Sequence, residues 1–182
     1  VLVAFRYDNT GNTVTPTPIA NHGEIGATYG VAYDNLNGNI FASAFQRSNT
    51  SFGPGITGAN TGQGADGAGT IYNISFDATS DTFGTAAPYV DLNQVFGAGT
   101  VLGDNPDDTD GDPNTNYERD GVGFNQAGKT SFGDLEYYDN NIYTVNLTDK
   151  KLYAIPTSGT LDNTTIVPHT IPIPNPVSNS GT

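Results

Sequence analysis

A glycine, a strand, a turn and a second strand follow one another in Gly30-Val31-Ala32-Tyr33-Asp34-Asn35-Leu36-Asn37-Gly38-Asn39-Ile40-Phe41-Ala42-Ser43-Ala44-Phe45. The same order returns in Gly133-Asp134-Leu135-Glu136-Tyr137-Tyr138-Asp139-Asn140-Asn141-Ile142-Tyr143-Thr144-Val145-Asn146-Leu147. Both copies place Tyr-Asp-Asn between two strand-like runs. A supersecondary unit that returns along a chain is the signature of a repeat architecture, so this pair of segments predicts stacked repeats.

Strand signals recur along the chain, whereas helical signals are nearly missing. Residues 71–76 alternate cleanly, with Tyr72, Ile74 and Phe76 on one face and polar residues on the other. The only window that suits a helix, residues 89–96, is short and lacks a useful stripe of apolar residues at helical spacing. The fold class predicted from these patterns is all-β.

Alignment of the copies gives a period of four strands. In the middle copy we expect strands at 30–34, 39–45, 69–76 and 88–92. In the last copy we expect them at 134–138, 141–147, 151–155 and 165–171. The first copy retains only 2–7 and 15–20. Repeated units of four antiparallel strands predict the blades of a partial β-propeller, while a β-sandwich, which also needs short strands, is the alternative.

The predicted organisation is a single all-β repeat region over residues 1–182, which we expect to be a fragment of a longer chain. Its expected parts are a partial blade at 1–23, a blade at 24–95 with an insertion at 47–68, an acidic insertion at 98–129, a blade at 130–176 and a linker at 177–182. A propeller closes with about four to eight blades. We therefore expect these blades to assemble with other copies of the chain or with the rest of a larger surface protein.

The composition is acidic and free of cysteine. The formal net charge is −13, so nucleic acid and anionic membrane surfaces are poor partners. The absence of Cys excludes a disulfide framework and a thiolate nucleophile. No run approaches the roughly 18 apolar residues of a membrane span, so no membrane insertion is expected. The chain begins at Val1 without an initiator Met, which indicates a processed or excised piece.

Several of these segments resemble the β-propeller region of large secreted bacterial surface proteins, which often also carry Cna-B or SdrD-type adhesin repeats. The resemblance is carried by residues 30–47, Phe52-Gly53-Pro54-Gly55 and Gly69-Thr70-Ile71-Tyr72, and then by residues 132–135, 147–153 and 173–176. It implies a cell-surface or matrix component, extracellular in location, with no agreed catalytic residues. Basic residues often follow the second strand in that family, and here only Arg47 does.

The acidic segment at residues 104–120 is a candidate calcium site. Asp108, Asp110 and Asp112 have the one-three-five carboxylate spacing of a calcium loop, and Ca²⁺ prefers oxygen ligands. The segment departs from an EF-hand at its sixth position, Pro113, and at its twelfth, Arg119. The candidate ligands are Asp108, Asp110, Asp112, Asn114, Asn116, Glu118 and Asp120. The alternative is a solvated acidic loop without a metal.

Aromatic side chains near the first hairpin are the candidates for ligand binding. Aromatic faces stack on sugars, whose hydroxyls pair with Asn and Asp. The rings that cluster around this hairpin are those of Tyr29, Tyr33, Phe41, Phe45 and Phe52. The residues assigned to ligand binding are Tyr29, Phe45, Arg47 and Phe52. The alternative is that these rings fill the space between blades.

No catalytic group is assigned, because the chain lacks a Gly-x-Ser-x-Gly elbow and its histidines have no metal-ligand spacing. We therefore expect a non-enzymatic, calcium-stabilised structural or adhesive module outside the cell. The first alternative is a carbohydrate-binding module that recognises glycans. The second is an extracellular hydrolase or lyase of propeller type.

Overall fold

The computed structural model describes residues 1–6, 8, 11, 15–48, 50–56, 67–103 and 121–172, the side chains of 121–123 excepted. Within these ranges the chain forms strands and three short helices, so the predicted all-β class is confirmed. In chain order the elements are β1 (Leu2–Ala4), β2 (Thr17–Ala20), α1 (His22–Ile25), β3 (Thr28–Asp34), β4 (Asn39–Ala44), β5 (Thr70–Asp77), β6 (Thr82–Phe83), β7 (Ala87–Asp91), α2 (Leu92–Phe96), α3 (Gly121–Gln126), β8 (Phe132–Tyr138), β9 (Asn141–Asn146), β10 (Lys151–Pro156) and β11 (Val167–Thr170).

The strands of the described ranges pair antiparallel in three sheets, none of which closes on itself. β1 and β2 form a two-stranded ribbon. The N-terminal sheet runs β3-β4-β5, and both β6 and β7 pair with β5. The C-terminal sheet runs β8-β9-β10-β11, with each strand beside its neighbour in the chain. Each copy of the sequence repeat therefore forms one antiparallel sheet.

The two large sheets meet through β3 and β8, which are edge strands of their own sheets. A Cβ built on Gly30 would lie 2.4 Å from the backbone nitrogen of Leu135 and 2.9 Å from the Ser43 hydroxyl oxygen. The Ser43 hydroxyl donates a hydrogen bond to the Gly133 carbonyl oxygen across the same contact, at 3.2 Å. Only glycine lets two backbones approach this closely. Gly30 therefore sets the distance between the sheets.

One hydrophobic core spans both sheets. Phe41 of β4 packs edge-to-face on Tyr89 of β7, with ring centroids 5.1 Å apart. The Tyr89 hydroxyl donates to the carbonyl oxygen of Pro156 at the end of β10, at 2.9 Å. Burial of each large apolar side chain contributes about 1.5–3 kcal/mol. The fully buried large side chains are Tyr72, Tyr153, Phe41, Phe132, Ile25, Ile71, Ile74, Leu92, Leu135, Ile142, Ile155 and Ile166.

Two buried asparagines hold the described part of the connection between the sheets. The Asn93 side chain donates to the Val101 carbonyl oxygen at 2.9 Å and accepts from the Val101 backbone nitrogen at 2.8 Å. The Asn146 side chain donates to the Thr100 carbonyl oxygen at 2.8 Å. These bonds replace the sheet hydrogen bonds that an irregular segment lacks, so its backbone groups are not left unpaired in the interior.

The three helices are more than the sequence patterns predict, and local capping explains two of them. The Asn21 backbone nitrogen donates to the Glu24 carboxylate at 2.8 Å at the start of α1. The Asp91 carboxylate accepts from the Asn93 backbone nitrogen at 2.8 Å at the start of α2. Capping of this kind stabilises single turns that have no amphipathic stripe. Among the described residues, no helix has the length and apolar character needed to span a membrane.

We expect Gly30→Ala to lower the free energy of unfolding by about 2–3 kcal/mol, because the new methyl group forces β3 away from β8. Gly133→Ala is the matched control, since its nearest contact would be an ordinary 3.7 Å. We expect that variant to stay within about 0.5 kcal/mol of wild type. Urea denaturation of the three proteins measures both changes. Equal effects of the two substitutions would contradict the close approach at Gly30.

Candidate functional site

An exposed groove lies where the two Tyr-Asp-Asn turns of the repeat meet. The turn between β3 and β4 forms one wall, and the turn between β8 and β9 forms the other. The cavity between them measures about 530 Å³. Its lining residues are Tyr33, Asn35, Leu36, Tyr137, Tyr138, Asp139 and Asn140. We call this feature the twin-turn groove.

The first wall is held by Asp34, whose side chain is fully buried. Its carboxylate accepts hydrogen bonds from the Leu36 backbone nitrogen at 2.9 Å and from the Asn37 backbone nitrogen at 3.2 Å. The Asn37 side-chain nitrogen donates to the other carboxylate oxygen at 2.7 Å. Burial by itself raises the pKa of Asp34, but these hydrogen bonds and one from Tyr137 outweigh it and lower the pKa. The ionised carboxylate therefore fixes the shape of this turn.

The second wall is a tighter turn built from the same three residue types. Asp139 and Asn140 both have positive φ, 47° and 59°, as the two central residues of a type I′ hairpin require. Asp139 is exposed, whereas Asp34 is buried. The middle copy has the extra residues 36–38 before its second strand, and this longer turn folds back on Asp34. The aspartate of the Tyr-Asp-Asn motif is thus a buried residue that fixes the turn in one copy (Asp34) and an exposed residue of the groove in the other (Asp139).

The groove presents aromatic and amide groups to solvent. Tyr33 is 49% exposed, Leu36 70% and Tyr138 73%. Partial burial raises the pKa of Tyr137, and so do its hydrogen bond to the Asp34 carboxylate and the negative charge of that carboxylate. The Tyr137 hydroxyl therefore stays neutral at physiological pH. The described lining contains one exposed carboxylate, that of Asp139, and no Lys, Arg or His. The surface therefore combines apolar ring faces with polar groups that are neutral or negative.

The ligand-binding residues predicted from the sequence do not form one surface. Tyr29 is 65% exposed and packs on the half-buried ring of Phe45, with centroids 5.2 Å apart. Arg47 is exposed on the segment that follows. Phe52 is 7% exposed and belongs to the hydrophobic core, where it packs beside Gly26 and Gly103. The structure therefore brings Tyr29 and Phe45 together and places Phe52 in the core.

The calcium ligands predicted from the sequence lie outside the described residues. These are Asp108, Asp110, Asp112, Asn114, Asn116, Glu118 and Asp120. Calcium binding by this segment stays a prediction.

The twin-turn groove was not assigned as a site from the sequence, although its signal was present. The repeated Tyr-Asp-Asn motif identifies the two turns, and stacked repeats place equivalent turns at the same end. What the sequence does not supply is the direction of each ring. Tyr138 and Leu36 become candidates only when their exposure is known.

A second polar cluster lies in the interior of the N-terminal sheet. Thr70 and Asp91 are directly opposed across β5 and β7, and Tyr72 lies two residues beyond Thr70. All three residues are buried, and Asp91 Oδ2 has no hydrogen-bond partner among the described residues. Burial raises the pKa of Asp91 despite the hydrogen bond from the Asn93 backbone nitrogen. The raised pKa makes the stability of the fold sensitive to pH at this position.

We expect Asp91→Asn to change the pH dependence of stability in a defined direction. In the folded chain the pKa of Asp91 is raised above its ordinary 3.8. At a pH between the ordinary and the raised pKa, the folded chain therefore binds more protons than the unfolded chain. The contribution of this group therefore falls as pH rises above about 4. The melting temperature of wild type minus that of Asp91→Asn should decrease from pH 4 to pH 8.

Asp162→Asn is the control with the opposite sign. Hydrogen bonds from the side chain and backbone of Thr164 lower the pKa of Asp162. The contribution of that carboxylate is present above pH about 4 and is lost on further acidification. Thermal melts from about pH 2 to about pH 8 test both variants, because the Asp162 contribution is lost only on the acid side of this range. Parallel curves for Asp91→Asn and wild type would contradict the raised pKa.

Comparison with known proteins identifies relatives far longer than this chain. No family model matches it, and no solved structure matches it significantly. It is similar to Colossin-D of Dictyostelium discoideum, 34% identical over 144 residues, which is 79% of this chain and 13% of Colossin-D. Colossin-C of the same organism is 26% identical over 174 residues, 90% of this chain and 14% of that relative. Colossin-A, also from that organism, is 42% identical over 55 residues, 30% of this chain and 0%, to the nearest per cent, of that relative.

These relatives correct the resemblance drawn from the sequence. The similarity to bacterial surface proteins is wrong, because the relatives come from a eukaryote. Glycines, short alternating strands and Asn-Asp turns follow from the geometry of antiparallel sheets and occur in unrelated proteins for that reason. The bacterial assignment therefore rested on features that do not identify a lineage.

Proposed function

We propose that the chain is a non-enzymatic structural and adhesive module that works outside the cell. The observation that carries the proposal is the stacking of two repeat sheets through β3 and β8, with Gly30 against the backbone of Leu135. A protein built by adding such units needs a fixed spacing between them. It presents its loops in register at one end.

The finer part of the proposal is that each sheet is a blade of a propeller-like array. β8, β9, β10 and β11 form a four-stranded meander, and β3, β4, β5 and β7 repeat that order. Blades of a propeller pack their sheet faces on one another around a central axis. The stacking of two successive meanders is what this arrangement requires of neighbouring blades.

The outer face of the C-terminal sheet favours an array over a two-sheet sandwich. Tyr143 and Ala154 are paired across β9 and β10, and Val145 pairs with Leu152 beside them. All four side chains are only partly buried. The outer faces of a sandwich carry polar residues, whereas a blade within an array is apolar on both faces. We refer to Tyr143, Val145, Leu152 and Ala154 as the outer face.

We infer that the outer face packs against another unit of the same kind. The length of the relatives supports this, since the chain spans only 13% of Colossin-D and 14% of Colossin-C. The net charge of −13 agrees with partners other than nucleic acid. When the chain is studied by itself, we expect a second copy of it to pack on the outer face in place of that unit.

We expect the chain to self-associate through the outer face. Multi-angle light scattering over a concentration series should show a mass that rises from one chain towards two. The double variant Val145→Lys/Leu152→Lys should raise the dissociation constant at least tenfold, because two ammonium groups would be buried without partners. Leu36→Lys, on the exposed turn, is the control and should associate like wild type. A wild-type chain that stays monomeric, or association that survives the double change, contradicts the proposal.

Calcium in the acidic segment is a separate part of the proposal and is measured on the same proteins. A melt in millimolar calcium should lie several degrees above a melt in EDTA, because a ligand that binds the folded state stabilises it. The double variant Asp110→Ala/Asp112→Ala should abolish the difference. Equal melts of wild type in the two buffers would remove calcium from the account and leave the assembly proposal standing.

A further inference from the structure

We propose that the twin-turn groove binds a neutral oligosaccharide. The groove is complete within one chain, so this binding does not depend on the assembly of repeats. Its recognition groups are the rings of Tyr33 and Tyr138 and the polar side chains of Asn35, Asp139 and Asn140. The size of the groove, about 530 Å³, lies within the roughly 300–1,000 Å³ of small-molecule sites and leaves room for more than one pyranose ring.

The ring faces supply the apolar half of the site. Tyr33 is 49% exposed and Tyr138 73%, although tyrosine rings carry a large apolar area that is usually covered. A pyranose ring has an apolar face of C–H bonds and a rim of hydroxyl groups. Stacking of such a face on a tyrosine ring removes apolar area from water on both partners while the hydroxyl groups remain free to hydrogen-bond.

The polar rim of the groove suits a ligand whose groups both donate and accept. Asn35 and Asn140 each offer a donor and an acceptor, whereas the carboxylate of Asp139 only accepts. A sugar hydroxyl donates and accepts and so matches all three. A proline-rich peptide, the other common ligand of tyrosine-lined grooves, offers backbone acceptors and few donors, and it leaves Asp139 unpaired.

The charge of the groove restricts the sugar to a neutral one. Among the described residues no basic side chain lines it, and Asp139 and Asp34 both place negative charge at its walls. A phosphorylated, sulfated or uronic oligosaccharide would be repelled without a compensating cation. Neutral sugars meet no such penalty.

The walls are held in place before a ligand arrives. Asp34 fixes the first turn through three hydrogen bonds from Leu36 and Asn37. The second turn is a two-residue hairpin, and Asn141 donates from its side chain to the Asp139 carbonyl oxygen at 2.9 Å. Because little backbone must be ordered on binding, the modest contact area of a sugar is sufficient for measurable affinity.

Isothermal titration calorimetry with cellotetraose, maltotetraose, mannotetraose and tetra-N-acetylchitotetraose tests the proposal, and a heparin tetrasaccharide and a decaproline peptide serve as charged and peptide probes. We expect at least one neutral tetrasaccharide to bind with a dissociation constant of about 0.1–1 mM. Tyr138→Ala should weaken that binding at least tenfold, and Tyr138→Phe should retain it, because the ring face is the contact. Tyr29→Ala is the matched control, since Tyr29 is 65% exposed but lies outside the groove.

Three results would overturn the proposal. These are the absence of binding by all four neutral sugars, binding that Tyr138→Ala leaves unchanged, and Tyr138-dependent binding of heparin or decaproline in place of a neutral sugar. Melting curves of each variant show that the fold is intact. Light scattering of Tyr138→Ala separates this site from the outer face, because loss of sugar binding should leave the self-association of the chain unaltered.

Discussion

The close approach of β3 and β8 is the contact on which the rest of the structure depends. Gly30 has no side chain to hold the sheets apart, so a Cβ there would lie 2.4 Å from the Leu135 backbone nitrogen. The same contact brings the hairpins that follow β3 and β8 to one end of the molecule. Without it, the two halves of the twin-turn groove would not face each other. A single glycine thus links the packing of the core to the geometry of the candidate site.

Hydrogen bonds from buried polar side chains hold the loop backbone of this protein in place. Only 35% of the residues are hydrophobic, yet many loops must be fixed. Asn93 and Asn146 bind the connection between the sheets, and the Ser131 hydroxyl donates to the carbonyl oxygen of Ala68 at 2.7 Å. Asp34 does the same for the first turn. Such hydrogen bonds contribute little when exposed but are costly to remove from an interior, so they fix the described loop segments around Ala68, Thr100 and Val101.

Strand positions could be predicted from the sequence because alternation of side chains is a local property. The alternating run at 71–76 became β5, and the turn residues at 139–140 became a hairpin. α2 lies within the one window that suits a helix, residues 89–96, but neither α1 nor α2 was predicted, because capping by Asn21 and Asp91 replaces the missing periodicity. The twin-turn groove was not predicted because its exposed rings lie at two turns that share the Tyr-Asp-Asn motif but differ in conformation. Phe52 was expected to face a ligand, and its burial depends on long-range contacts with Gly26 and Gly103 that no local pattern encodes.

Hydrogen exchange of the backbone amides is the most direct test of the claim that the two repeats share one core. If β3 and β8 join the sheets into one cooperative unit, the slowest amides of β4 and β9 should exchange with the same opening free energy, and Gly30→Ala should lower both values equally. The result that would contradict the account is a C-terminal sheet that opens at a lower free energy than the N-terminal sheet and does not respond to the change at Gly30.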